Sequence, residues 1–332
     1  MEIQGDCLDH VLHCLYHALL GSGQPHTGSR GDTLELLGVA IRILKPRARI
    51  SSSENRGRLF SALGELLWYL SGSDKLEFID PYVPRYREDA VDGQIQGAYG
   101  PRLSAMRSKI DQLASVERLL TEKPGSRRAV IQLFNAEDIA TDHKEVPCTT
   151  AIQFHLRKGI LHMSVTLRSN DAYWGLPHDV FCFTMLQEMM ARRLGVEMGE
   201  YFHYAGSMHL YENVADGTRA YVGEGVQRTI EMPPMPSGDP FTIVGKLLDV
   251  ERRLRAGETL DARNEMGDAY WADIIRLLQV FWVGKLAPDD LPRIDALRAE
   301  LAWESYRPYV DGRRYLMNRM AGPHGETSGK RN

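Results

Sequence analysis

Residues 150–156, TAIQFHL, and 160–167, ILHMSVTL, read as two β-strands joined through Arg157-Lys158-Gly159 into a hairpin. VFCFTMLQEMMARRL, at 180–194, then reads as a strongly apolar helix stopped by Gly195. Paired strands followed so closely by an apolar helix place this stretch inside an α/β (α+β) fold. The same periodicities predict a first helix with Leu8, Leu12, Leu15 and Leu19 on one face, ended by Gly21 and Gly23. They also predict a Gly/Ser/Arg loop over 24–32, a strand over 33–43 bent at its glycine, a buried helix over 57–71 and a strand over 129–134. Residues 72–105 look irregular. Proline-rich PPMPSGDP (233–240) divides the chain. The expected organisation is a body over 1–232 and a helical extension over 233–320 packed on it, with helical patterns near 241–256, 268–284 and 291–304. Residues 321–332 read as a frayed tail.

With 332 residues, 43% of them hydrophobic, the chain is long enough to bury one large core or two modest ones. A net charge of -4 supplies no basic field, so any anion must be held by local arginines; a small anionic ligand fits this better than duplex nucleic acid. Four cysteines without spaced pairs make no disulfide framework, and reduced thiols suit the cytosol. The first twenty residues carry Glu2, Asp6 and Asp9 where a signal peptide has a basic start, and no stretch approaches the roughly 20 apolar residues of a membrane span. The expectation is a soluble, cytoplasmic protein with no membrane partner.

Cys148 follows Val146-Pro147 and opens a strand, which holds a thiol at an element's edge. A lone cysteine is otherwise a small core residue, the reading given to Cys182 inside its apolar helix. A cysteine is nucleophilic only as thiolate, a state that guanidinium groups favour. Arg30, Arg127, Arg128 and Arg168 all stand beside small or turn residues; each alone reads as a solvated charge, and in GSRR (125–128) and LRSND (167–171) they have the form of a phosphate cradle with Ser169. Cys7, His10, Cys14 and His17 share a flank of the first helix, but four ligands strung over three turns do not converge on one ion, so no metal is expected.

SRR, PC, RSND, GLPHDV and HYAGSMHLYEN, in that order, resemble the motif series of thymidylate synthases and their hydroxymethylase relatives, over roughly 28–215. The resemblance implies a three-layer fold with a large mixed sheet, a homodimer, and 5,10-methylenetetrahydrofolate as co-substrate. It implies Cys148 as nucleophile, Glu65 as catalytic carboxylate and Tyr99, in GAYG, beside the thiol. Phosphate contacts fall on Arg127 and Arg128 from the other subunit, on Arg168 and Ser169, and more loosely on Arg30, where the match slips by a residue or two. Asn170, Asp171, His209 and Tyr211 become substrate contacts; Trp68, Asp171 and Gly175 become folate contacts. From periodicity alone, Glu65 reads equally as a solvent-facing residue, on the side of Ser61 and Trp68.

Two departures from the synthases are informative. Asparagine gives way to Asp179, a carboxylate that matches the 4-amino group of cytosine and opposes O4 of uracil, provided a proton lies between it and N3. This aspartate marks the family's cytidylate hydroxymethylases; the competing reading is a helix N-cap before Val180. Secondly, residues 80–100 contain no tryptophan, and the C-terminus lacks an evident closing tail. Both absences favour addition of water over hydride, with Glu65 orienting that water. The resemblance therefore implies a cytidylate 5-hydroxymethylase, CMP ahead of dCMP, in antibiotic or nucleotide biosynthesis. Its rivals are a methylating synthase and a nucleotide- or RNA-binding scaffold without turnover. Thr149 in place of a histidine and Leu167 in place of a glutamine alter the surroundings of the thiol.

Overall fold

The computed structural model describes residues 1–28, 30–53 and 58–321. Beyond Ala321 the expected tail lies outside these residues, as does Gly57 at the start of the second expected helix. Met1–Thr242 form one compact unit and the chain from Ile243 onward another.

The first unit is built on seven strands: β1 (Glu2–Gly5), β2 (Gln24–Gly28), β3 (Gly31–Ile43), β4 (Val130–Gln132), β5 (Thr149–Arg157), β6 (Ile160–Asp171) and β7 (Glu197–Tyr211). Their order is β1-β3-β7-β6-β5-β4, with β2 paired to β3. The sheet is mixed, since β1 with β3 and β6 with β7 run parallel. The expected hairpin is β5–β6, closed by Lys158 and Gly159 at φ 51° and 76°. Positive φ at both central positions gives the tight turn whose twist matches that of paired strands. Along β6, Leu161, Met163, Val165 and Leu167 are buried while the alternate residues are not, the period of two that puts one face on the core.

The long helix Gly175–Leu194 packs against β6 and β7, and the helix Leu59–Ser71 packs against it in turn. The long helix starts a turn earlier than the expected Val180, because Pro177 falls within the first turn, where its missing N–H costs nothing. Asp179 therefore lies inside the helix, and the capping position is Trp174, which forms no side-chain cap. This corrects the N-cap reading of Asp179. Leu59–Ser71 is buried on both faces, Glu65 and Trp68 as well as Leu63 and Leu66, since further helices cover its second side.

β2 stands where a loop was expected, and the helices Leu76–Ile79 and Tyr99–Ser104 lie in the stretch read as irregular. QPHTG has no apolar alternation to announce a strand; it is ordered by its ladder with β3. The proline-rich segment lies on the first unit. Met232 N–H donates to Arg47 O (2.9 Å), and Met235 N–H to Glu188 Oε1 (2.8 Å). Glu188 also forms a buried ion pair with Arg49. In the second unit, Val244–Arg255, Leu291–Glu300 and Arg307–Ala321 surround the buried helix Ala269–Leu286. No helix among the described residues is long and apolar enough to cross a membrane.

Candidate active site

Cys148 immediately precedes β5 and is half-buried. Arg168, from β6, binds its approach: Nε donates to Pro147 O (3.0 Å), and Nη2 to Val146 O (3.1 Å) and the Cys148 Sγ (3.8 Å). Tyr99 OH accepts from Thr149 N–H at 3.0 Å, which fixes the other side of the thiol's backbone. Guanidinium groups were expected to make this thiol acidic. Burial instead pushes it up to about 11; Arg168 and Arg30 pull the other way, while Asp179 and Glu145 add to the rise. By this balance Cys148 is a thiol at neutral pH.

Two carboxyl groups flank the site in opposite states. Burial alone would raise the Glu65 carboxyl, but the hydrogen bonds of His178, Tyr86 and Tyr69 hold it below its usual value. His178 Nδ1 lies 2.6 Å from Oε2, while Tyr86 OH and Tyr69 OH donate to Oε1 at 2.7 and 3.3 Å. Glu65 is thus an ionised, buried acceptor and not a solvent-facing residue. Asp179 is raised well above the carboxylate range, by burial first and by the charge of Glu65 next. Its Oδ2 accepts from Asn170 Nδ2 (2.7 Å). The Asn170 amide is oriented from behind, since His203 Nε2 contacts its Oδ1 at 2.9 Å and Tyr201 OH contacts His203 Nδ1 at 2.9 Å. Burial lowers His203 to about 3, so it is neutral and its Nε2 carries the hydrogen given to Asn170. Gly175 belongs to this arrangement as space: a Cβ there would lie 3.1 Å from Asn170 Nδ2.

At the other end, Ser169 Oγ and His209 Nδ1 are 3.4 Å apart, and the His209 ring packs edge-on against Tyr211. Burial holds His209 below the usual imidazole value, against the pull of Asp171 and Glu35. Asp171 Oδ1 accepts the N–H groups of Tyr173 and Trp174, setting the chain into the long helix. Arg85 joins this group, 3.5 Å from Asp171 Oδ2 and over the Tyr211 ring. Arg30 is paired with Asp89. Arg127 and Arg128 are exposed, and their side chains have no hydrogen bond or ion pair among the described residues. Trp68 is buried edge-on against Tyr86, with an indole N–H lacking a partner among the described residues. No group of three or more His, Cys, Asp or Glu among the described residues is placed to hold a metal ion.

Sequence reasoning missed His178, Tyr86, Arg85 and His203. His178 stood within the quoted GLPHDV, and Arg85 and Tyr86 within a segment searched only for tryptophan. Asp179 marks the side of the helix that faces the site, but it gives no pointer to what His178 meets across the helix interface.

Residues 49–236 match the family described as thymidylate synthase. The deoxyuridylate hydroxymethyltransferase of Bacillus phage SP01 is 29% identical over 263 residues, covering 74% of this chain and 67% of its own length. The thymidylate synthase of Symbiobacterium thermophilum is 31% identical over 191 residues, covering 53% of this chain and 65% of its own. The deoxyuridylate hydroxymethyltransferase of Pseudomonas phage M6 is 35% identical over 181 residues, covering 53% and 51%. The chain thus spans between 51% and 67% of the length of these relatives. The family match covers more than half of the chain and includes Cys148, Glu65, Asp179 and Arg168, so the chain belongs to the thymidylate synthase family.

Proposed function

We propose that this protein is a pyrimidine-nucleotide 5-hydroxymethylase that takes a cytidylate, CMP or dCMP, with 5,10-methylenetetrahydrofolate and water. The observation that carries this reading is the division of labour between the two carboxyl groups, one ionised and one neutral. Environments that push such groups apart assign a base and an acid. Asp179 in its neutral form donates through Oδ1 to cytosine N3, and Oδ2 keeps a lone pair for the 4-amino group beside its bond from Asn170. Protonating N3 withdraws electrons from C6, where the Cys148 sulfur adds, so C5 becomes nucleophilic. When bound, 5,10-methylenetetrahydrofolate supplies the one-carbon unit. The orphan Trp68 N–H, beside the Glu65 cluster, fits a bound polar acceptor on that side. With the one-carbon unit joined to C5, the C5 hydrogen lost as a proton and tetrahydrofolate released as the amine, the nucleotide carries an exocyclic methylene; Glu65 holds a water and takes its proton as the oxygen bonds to that methylene, and Cys148 leaves C6 as C5–C6 regains its double bond. Tyr86 favours water over hydride, because its hydroxyl donates to Glu65 and makes that pocket polar, in a segment that carries no tryptophan. Arg168 and Ser169, with Arg30 released from Asp89, are the phosphate contacts of this reading, and His209 and Tyr211 the sugar contacts.

A second base is favoured by a specific observation. A neutral carboxyl, like an amide, offers one donor and one acceptor, which also suits N3–H and O4 of uracil, and two of the relatives are named for deoxyuridylate. Turnover of CMP, dCMP and dUMP, with the masses of nucleotide and folate products, tests both readings. The expected result is hydroxymethylcytidylate with release of tetrahydrofolate. Methylated dUMP with dihydrofolate as the main products overturns the proposal; hydroxymethylated dUMP retains the chemistry and replaces the base.

Arg127 and Arg128, exposed and without a side-chain partner among the described residues, support a homodimer in which each subunit lends them to its partner's phosphate. Mixing Cys148→Ala chains with Arg127→Ala/Arg128→Ala chains should restore activity that neither has alone. No recovery after subunit exchange rules the shared site out.

A further inference from the structure

We propose that His178 is a positioning residue for the reaction, holding Glu65 as an aimed carboxylate through Nδ1 while Ser61 fixes the far side of its ring. The proposal rests on the reading of Glu65 as the group that handles the added water. Three observations place His178 in that role. Its Nδ1 is 2.6 Å from Glu65 Oε2, across the interface between the helices Leu59–Ser71 and Gly175–Leu194. Its Nε2 is 3.0 Å from Ser61 Oγ, which also lies 3.1 Å from Arg58 O. Both His178 and Glu65 are buried, so bulk water does not replace either contact.

The geometry has a built-in choice. A nitrogen facing a carboxylate at this distance carries a hydrogen, so Nδ1 is the donor. Ser61 has one hydrogen and two neighbours able to receive it. If it is given to Nε2, the ring is neutral; if it is given to Arg58 O, Nε2 must donate and the ring is a cation. Either way Glu65 receives a hydrogen on Oε2 and the two tyrosine hydroxyls on Oε1, an arrangement that fixes the plane of its carboxylate. Among the described residues, the other charged or titratable groups here are Arg58 and Arg49, which line the recess behind His178, and Asp179, Cys182, Tyr69 and Tyr86 around Glu65. Arg49 is paired with Glu188, and Arg58 lies over the Trp174 ring.

The test is the pH profile of kcat for His178→Phe and His178→Asn. Asparagine can present an amide N–H near the position of Nδ1; phenylalanine keeps the ring and removes both nitrogens. His178→Phe should lower kcat by roughly 10²-fold, the scale of a misplaced catalytic group, with little change in KM. Its acid limb should move to higher pH, because burial then acts on Glu65 without the histidine. His178→Asn should recover much of the rate and return the acid limb toward the wild-type position. An acid limb that stays in place in His178→Phe, or a kcat within twofold of wild type, overturns the proposal. Covalent capture of a 5-fluoropyrimidine nucleotide by Cys148 shows that each variant is folded and competent up to addition. The limb can be read on a methyl or a hydroxymethyl product alike, so failure here is distinct from failure of the proposed reaction.

Discussion

Asp179→Asn should turn the preference of this protein from cytosine to uracil. The amide retains an acceptor for Asn170 Nδ2, so the local structure has no reason to move. What changes is the exchangeable proton. Asparagine can still donate an N–H to N3 and accept from the 4-amino group, but it has no acidic proton to give to N3, which cytosine needs for activation; uracil already carries a hydrogen on N3 and pairs with the amide through N3–H and O4. A positioned general acid contributes about 10²–10⁴-fold, so without it the ratio of cytidylate to uridylate turnover should fall by on the order of 10²-fold or more. Paired kcat/KM measurements on dCMP and dUMP read this ratio directly, and an unchanged ratio removes Asp179 from base selection. The same variant has a stability signature. Because the folded carboxyl is raised, the folded chain keeps a proton that the unfolded chain has released. Stability is therefore lost as pH rises from the unfolded value of about 3.9 toward the folded one. Asp179→Asn should accordingly gain on wild type in urea midpoints at pH 8 and not at pH 4.

Cys148→Ala should abolish turnover, by roughly 10⁴-fold or more, together with adduct formation by 5-fluoropyrimidine nucleotides. Nucleotide binding should survive, because the phosphate and base contacts lie on other side chains. The structure adds a condition to this proposed role. With the free thiol pushed up to about 11, only a small fraction is thiolate at neutral pH, so wild-type kcat/KM should climb with pH through the neutral range. A plateau well below neutrality shows that substrate-free Cys148 is already ionised and that the effect of burial is overcome. Retained turnover in Cys148→Ala removes the covalent mechanism altogether.

Much of the fold was legible because its central elements announce themselves locally. The β5–β6 hairpin has alternation and a turn with glycine at the required place, and the long helix is apolar throughout with a glycine stop. β2 and the short helices between Ser71 and Ala105 were not legible, because their order comes from pairing and packing and not from their own pattern. The start of the long helix was misread for a related reason. Pro177 looks like a barrier in one dimension and is a normal first-turn residue in three.

The site divides along the same line. The order of short motifs along the chain suffices to assign the family and to propose Cys148, Asp179 and Arg168 for its site, because each motif brings its chemical group and its local geometry together. Ionisation states were beyond it, since they depend on burial and on neighbours far away in the chain. Glu65 meets a histidine 113 positions away, and Asn170 is oriented by His203, 33 positions away. Motifs decide which groups are present; only the tertiary structure decides that Glu65 is held charged, that Asp179 is held neutral and that the Cys148 thiol waits protonated, because desolvation and through-space charge exist only once the chain has folded.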